Sequence, residues 1–357
     1  MFYNLFLIGH RFKGEATMSI VQVEASDISL TATEARKRLD GQASALGRSA
    51  KASATRIAYA SDLRDFALFC KQHEESAFPA EPQTVARYIA HLQGEHVGIN
   101  RKEEIKVVPP CSVSTIARRM VAIAQAHKKA KLSNPVADPC VREILQGLRR
   151  EKGVAQKKKD PITLDHLRAA LATIDMETLK GKRDKALLLL GFSLAGRRSE
   201  IAQLNVEDLR FDTRGLRVTI RRSKTDQAGK GRPLGVPYVG NEELCAVRAV
   251  QAWLDASGIR EGALFRTFDG GKKLTANQID PRDVARLVKR VTSKAEIDGD
   301  FSGHSLRAGF ITEASSTQGV AEYDIQRVSR HKNTDIMRDY IREANIFKNA
   351  PLSAMLG

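Results

Sequence analysis

Arg197, Lys224, His304, Arg307, His331 and Tyr340 are the residues whose types and order could do chemistry together. They stand in the contexts RRSE, SKTD, HSLR, RHKN and DYIR. A guanidinium presents two parallel N–H donors that match two oxygens of a phosphate. A lysine ammonium can protonate a leaving alkoxide. A phenol, whose free pKa is about 10, becomes a nucleophile when neighbouring cations or a base activate it. As a set, these groups would hold one phosphodiester and attack it.

Taken singly, each also has an ordinary reading. His304 and Arg307 follow Ser302 and Gly303 near an expected helix start. At this spacing they share a face and sit where first-turn N–H groups favour an anion. They could equally be a surface histidine and arginine. Arg197 and Arg198 close an apolar run, with Glu200 just beyond; this is either a cation held in place or a helix-surface ion pair worth little. Lys224 enters a turn, where a lysine is commonly just solvated. Tyr340 shares a helix face with Ile336 and Met337, which suits a core tyrosine as well as a nucleophile. His331 precedes it across a KNT turn, whereas Tyr3, Tyr59, Tyr88, Tyr238 and Tyr323 have no such neighbourhood. The ordered set, rather than any member, carries the signal.

These side chains need elements to position them. Residues 18 to about 50 are polar and rich in Ala, Ser and Thr, which predicts a mobile tail with one short helix. Tyr59, Leu63, Phe66 and Cys70 repeat at helical spacing, as do Val85, Tyr88, Ile89 and Leu92. Residues 95–111 are charged and end in Pro109-Pro110, which predicts a loop. Ser112 or Ser114 then caps a helix with Ile116, Met120, Ile123 and His127 on one side and Arg118, Arg119, Lys128 and Lys129 elsewhere. Another short helix covers Val141 to Leu148. RREKGVAQKKKD, residues 149–160, reads as a domain boundary, either a solvated linker or a basic strap along a phosphate backbone.

Beyond it, Thr163 and Asp165 start a helix, and Ala186 to Leu194 form a strongly apolar one. LRVTI and RPLGVPY flank the SKTDQAGKG turn as a β-hairpin. Helices are expected at Glu242–Ser257, Asp280–Ala295, His304–Ser316, Ala321–Ser329 and Asp335–Ala344. The domains predicted are therefore a tail over 1–49, a helical domain over 50–150, a basic linker over 151–161 and a second domain over 162–357. Met18 is an alternative start that would leave residues 1–17 untranslated.

The bulk numbers agree with a nucleic-acid partner. The formal net charge is +16, from 58 basic and 42 acidic residues, and 42% of the chain is hydrophobic, as in a folded protein. Cys70, Cys111, Cys140 and Cys245 form no C-x-x-C pair and have no histidine at ligand spacing, so no metal site is expected and the thiols suit a reducing cytoplasm. No apolar run of membrane-spanning length occurs, and a signal peptide fits poorly.

With these motifs in view, the chain resembles the tyrosine recombinases, or phage integrase family, and above all the Cre-like branch, over about residues 50–357. LAGRRSEIAQLNVEDL is similar to the family segment bearing its first arginine, three residues before a glutamate; this selects Arg197 over Arg198 and makes Glu200 the supporting acid. RRSKTDQAG resembles the hairpin that carries the family's lysine, Lys224. FSGHSLRAGF supplies His304 and Arg307, and HKNTDIMRDYIRE supplies His331 and the nucleophile Tyr340. DLRDFALFCKQH and FPAEPQTVARYIAHL are similar to the family's helical core-binding domain. Two departures are Gly196, where the family usually has a bulky apolar residue, and residues 97–110, an enlarged inter-helix loop.

The resemblance implies a mainly α fold with a small β-hairpin or sheet: a helical, SAM-like core-binding domain and a mixed α/β catalytic domain. It implies a site-specific DNA recombinase or integrase working by two transesterifications. Tyr340 would form a 3′-phosphotyrosyl link and Lys224 would protonate the 5′ oxygen. Arg197 and Arg307 would hold the non-bridging oxygens. His304 would assist proton transfer at the tyrosine, His331 would hydrogen-bond the phosphate, and Glu200 would orient. No metal, ATP or other cofactor is implied. The partners would be double-stranded DNA with a specific recombination site and further copies of the chain, as a tetramer on two sites. The apolar tail of Phe347, Leu352, Met355 and Leu356 would pack on its own domain or dock on a neighbouring protomer. Arg118 and Arg119 are candidate DNA contacts in the first domain. Arg282, Arg286 and Lys289, on a helix face opposite Val284, Leu287, Val288 and Val291, are candidates for a major-groove helix in the second. The alternatives are a type IB topoisomerase-like relaxing enzyme and a DNA-binding protein that has lost catalysis.

Overall fold

The computed structural model describes residues 32–49, 53–99, 104–153, 158–221, 231–331, 337–338 and 340–341. Lys224, residues 1–31 and the tail from 342 onward lie outside them. The chain divides into two compact units, Met1–Gln156 and Lys157–Gly357. No described helix is long and apolar enough to cross a membrane.

The first unit contains α1 (Ala32–Ser49), α2 (Ser53–Gln72), α3 (Pro82–His91), β1 (His96–Ile99), β2 (Ile105–Val108), α4 (Val113–Lys129) and α5 (Pro139–Lys152). Of these, α1 runs 18 residues, where only a short helix was expected. It is built from good helix formers but has no apolar stripe, and Leu39 is exposed, so periodicity does not reveal it. The core is Phe66, Phe69, Tyr88, Ile89, Leu92, Ile116, Met120, Ile123, Val141 and Leu148, largely the apolar positions that set the helical period. His127 is a satisfied core histidine, with Nδ1 against the Ile123 carbonyl at 2.9 Å and Nε2 accepting from Ala80 N at 3.0 Å.

Two expectations for this unit are corrected. Residues 95–111 are not simply a loop: β1 and β2 pair antiparallel, with Val97 opposite Val107 and Ile99 opposite Ile105. The strands have four residues each, too few to stand out among the surrounding charges. Their anchor is Asp65 on α2, whose Oδ2 accepts from Ile99 N at 3.0 Å. Arg119 is not a surface cation awaiting a phosphate. It is 8% exposed, with its guanidinium paired to Asp65 and donating to the Tyr88 hydroxyl at 2.7 Å. The helical wheel leaves its face ambiguous, and a buried acid decides it. Arg118, next to it, stays exposed and meets Asp62 at 3.1 Å.

The second unit contains α6 (Leu164–Ala172), α7 (Leu179–Ser193), α8 (Arg198–Ala202), β3 (Leu209–Asp212), β4 (Gly215–Ile220), β5 (Arg232–Pro237), α9 (Ala246–Ser257), β6 (Arg266–Asp269), β7 (Lys273–Gln278), α10 (Pro281–Lys294), α11 (Ser305–Ser316) and α12 (Glu322–Ser329). The structure is thus mainly helical with small antiparallel sheets. Helix α7 starts seven residues before the predicted apolar run, where Thr178 Oγ1 accepts from Gly181 N at 3.0 Å. Its stretch from Ala186 to Gly191 is buried throughout, as a helix surrounded by others must be. Strands β3, β4 and β5 form one antiparallel sheet, with Leu216, Val218 and Ile220 facing the core. The predicted hairpin is β4 and β5, and β3 extends it. A further hairpin, β6–β7, is not foreseen; the Asp269-Gly270-Gly271 turn is its sequence signal. Met337, Tyr340 and Ile341 are helical and pack with Ala308, Ile311 and Ile325 of α11 and α12.

Candidate active site

The site begins where α7 stops. Gly196 N donates to Gly191 O at 2.9 Å and Ala195 N to Phe192 O at 2.8 Å, the bond pair of a Schellman turn. Ala195 takes the left-handed position with φ 43°, at a cost of roughly 1 kcal/mol for a residue with a side chain. The turn explains Gly196: a Cβ there would lie 2.7 Å from Ile201 Cγ1, so the space usually filled by a bulky residue at this position is filled by Ile201. The chain re-enters a helix at once with Arg197 as the residue before α8. Glu200 Oε2 accepts from Arg197 N at 2.9 Å and Oε1 from Arg197 Nη1 at 2.6 Å. The carboxylate thus orders the turn and aims the guanidinium together. Arg198 is exposed.

Helix α11 carries the next groups. His304 precedes its first turn, and Arg307 lies within that turn, 1% exposed. Arg307 Nη1 donates to Ala195 O at 2.7 Å, tying α11 to the α7 turn. Its Nη2 donates to His331 Nε2 at 3.0 Å, so that nitrogen is unprotonated, and His331 Nδ1 faces Ser329 Oγ at 3.0 Å. The Tyr340 hydroxyl lies 3.1 Å from His304 Nε2. The six-residue set apart from Lys224 is therefore gathered around the α7 turn and the start of α11, with Glu200 beneath it. Lys224 lies outside the described residues.

The residue missed by sequence reasoning is Arg330. It is buried and left-handed, with φ 59°. Its Nη2 donates to Glu200 Oε2 at 2.7 Å and its Nη1 to Leu194 O at 3.0 Å. These bonds hold the backbone just before His331 against the α7 turn. The signal was present in RHKN, where a second cation adjoins the histidine, but nothing in the string says that Arg330 points inward to the same carboxylate as Arg197.

Charge in this pocket is one-sided. Arg197, Arg307 and Arg330 face one described carboxylate, Glu200. Burial alone would raise the Glu200 carboxyl, but Arg330 and the hydrogen bonds from Arg197 outweigh it and hold it below the usual range. Burial, with Arg197 and Arg330 nearby, lowers Arg307 to about 9. Burial, with Arg307 and Arg197 nearby, lowers His304 and pushes His331 down to about 3. Both imidazoles are therefore neutral at neutral pH, and His304 can accept a proton from the phenol. A pocket with this excess of positive charge favours an anion.

A stability prediction follows. The folded pKa of His331 lies below its unfolded value of about 6.5, so on acidification the unfolded chain gains a proton first. Stability is unaffected above about 6.5 and falls as the pH drops from there toward 3. Between pH 7 and 5, His331 should contribute a loss on the order of 1 kcal/mol, allowing for partial solvent access. Denaturant titrations of wild type and His331→Asn at both pH values check this; equal pH dependence in the two proteins would refute it.

The DNA-contact candidates Arg282, Arg286 and Lys289 all lie exposed on α10, opposite buried Val284, Leu287, Val288 and Val291. Arg282 is drawn toward Asp280 at 3.0 Å and Arg286 toward Asp283 at 2.7 Å. Lys180, Arg183 and Arg290, none anticipated, line a cavity beside Arg286.

An anion-seeking pocket with a histidine-bonded tyrosine, set in a helical unit with a small antiparallel sheet, points to the class of DNA strand-exchange enzymes. Comparison with known proteins agrees. The phage integrase family matches residues 160–345. An integrase/recombinase XerD homolog of Selenomonas ruminantium is 36% identical over 326 residues, covering 90% of this chain and 91% of that protein. The Cre recombinase of Escherichia phage P1 is 24% identical over 302 residues, 78% of this chain and 81% of Cre. A lambda integrase tetramer bound to a Holliday junction shares the fold, with a TM-score of 0.55 at 12% identity, covering 88% of this chain and 78% of that one. The chain belongs to the phage integrase family, the tyrosine recombinases, whose members are site-specific DNA recombinases.

Proposed function

We propose that this recombinase cleaves and rejoins DNA through a 3′-phosphotyrosyl intermediate, with neither metal nor ATP. The Tyr340 hydroxyl passes its proton to His304 Nε2, and the oxygen attacks the scissile phosphorus. The bond from phosphorus to the 5′ oxygen breaks, and that oxygen takes a proton from Lys224. Arg197 and Arg307 bind the non-bridging oxygens as charge builds on them. Arg307 Nη2 then turns from His331 to the phosphate. Ser329 Oγ, able to give or take a proton at Nδ1, lets His331 present an Nε2–H to the same phosphate. Attack by a 5′-hydroxyl of the partner strand reverses the chemistry. The phosphodiester energy stays in the protein–DNA bond, so no nucleotide is consumed.

The observation that carries this reading is the 3.1 Å contact between the Tyr340 hydroxyl and His304 Nε2 at the edge of an arginine-rich pocket. The α10 face supports a groove contact through Arg282, Arg286 and Lys289, and Arg118 is the corresponding candidate in the first, core-binding unit. The likeness in fold to a lambda integrase tetramer on a Holliday junction supports assembly as a tetramer on two sites. The cytoplasm, where DNA is accessible, is the place of action.

The test uses duplexes that the protein itself enriches from a random-sequence pool. Wild type should form SDS-resistant adducts on them and recombinant joints between two copies. Relaxation of supercoils without joints would favour a topoisomerase; the absence of any adduct would overturn the reading.

A further inference from the structure

Lys158, near the end of the basic segment 149–160, meets Tyr340. Lys158 Nζ stands over the ring of Tyr340, 5.0 Å from its centroid. The backbone that carries it is fixed. Asp160 N donates to Asp300 O at 3.2 Å, and Asp300 N to Asp160 Oδ2 at 2.6 Å. Lys159 pairs with Asp300, and Ile162 N donates to Ser305 O at 3.1 Å. Gly309 lets this segment lie directly on α11: a Cβ there would be 1.8 Å from Ile162 O. Residues 158–162 and the start of α11 are thus one scaffold, which presents Lys158 and His304 to the same phenol.

Among the described residues, Lys158, His304 just before α11 and Arg307 on α11 face Tyr340, and His331 bonds Arg307 from after α12. Of these described residues, His304 takes the hydroxyl and Lys158 is the cation placed over the ring face. A cation there is attracted to the neutral ring by its quadrupole, and more strongly to a phenolate by its full charge. The attraction therefore grows along the reaction, the condition for accelerating it.

We propose that Lys158 is a positioning residue for the nucleophile, holding the Tyr340 ring toward His304 and stabilising the negative charge that develops as the phenol loses its proton. This rests on Tyr340 being the nucleophile. It gives the strap a role distinct from contacting the DNA backbone.

The experiment is single-turnover adduct formation at saturating DNA across pH 6 to 9, for wild type, Lys158→Gln, Lys158→Arg and Tyr340→Phe. Lys158→Gln should form adduct about tenfold more slowly at neutral pH, with its rate rising toward wild type as the pH increases. Lys158→Arg should stay within about threefold of wild type. A Lys158→Gln rate equal to wild type at every pH, or a defect that vanishes at saturating DNA, would overturn the proposal and leave the lysine a phosphate contact. An equal loss at all pH values would overturn it as well. If wild type forms no adduct, the nucleophile assignment itself fails, and Tyr340→Phe identifies that case.

Discussion

Tyr340→Phe should bind DNA as wild type does and form no covalent adduct, a loss of at least about 10⁴-fold in single-turnover cleavage. The change removes one oxygen and leaves the ring. That ring is 9% exposed and packs with Ala308, Ile311, Ile325 and Met337, contacts phenylalanine would keep. The hydroxyl's contact with His304 would be lost, and in a pocket beside solvent this is a small stability change. Among the described tyrosines, Tyr340 is the one whose hydroxyl meets His304, and Tyr59 lies on α2 of the first unit. The Tyr88 hydroxyl is engaged by Asp65 at 2.6 Å in the first unit, Tyr238 by Gln251 at 3.1 Å, and Tyr323 is an exposed residue of α12. Gel separation of protein-linked DNA after SDS treatment reads the result directly. Persistent adduct in Tyr340→Phe would show that another nucleophile acts.

Glu200→Ala should unfold the second unit far more easily, by about 3–5 kcal/mol. Glu200 is 4% exposed and accepts from Arg197 at two donors and from Arg330 at one. Its removal leaves buried Arg330 facing Arg197 and Arg307 with no described carboxylate between them. That is the case in which loss of one partner costs much more than the pair contributes. The double variant Glu200→Ala/Arg330→Met should recover part of the loss, since it removes the stranded charge as well. Chemical denaturation of the three proteins tests this. A single-variant loss under about 1 kcal/mol, or no recovery in the double variant, would show that the network is better solvated than its burial indicates.

How much of this was legible in the sequence depended on whether a feature is local. The apolar spacing of Tyr88, Ile89, Ile116, Met120 and Ile123 is local, and these residues do form the core of the first unit. The choice of Arg197 over Arg198 rested on the likeness to the family segment rather than on the spacing, and it is Arg197 that folds back onto Glu200. Arg119 and Arg330 were not legible. Both are arginines beside another basic residue type, Arg118 or His331, which reads as surface, and both are buried because an acid distant in sequence, Asp65 or Glu200, pairs with them. Such pairing is a property of the tertiary fold. The β1–β2 hairpin was obscured for a related reason: its anchor is the Asp65 carboxylate on another helix, not a strong strand pattern of its own.

With the scissile phosphate bound as proposed, the imbalance of charge around Arg307 would link DNA binding to protons. In the free protein burial, with Arg307 and Arg197 beside it, keeps His331 neutral and makes acid unfavourable to the folded chain. A bound phosphate reverses the local field and favours the protonated imidazole. Uptake of DNA would then become uptake of hydrogen ion, and mild acidity that weakens the free protein would strengthen the complex. One pocket would thus give opposite pH dependences to the two states of the same molecule, so the free and bound recombinase would answer to acidity as different proteins do.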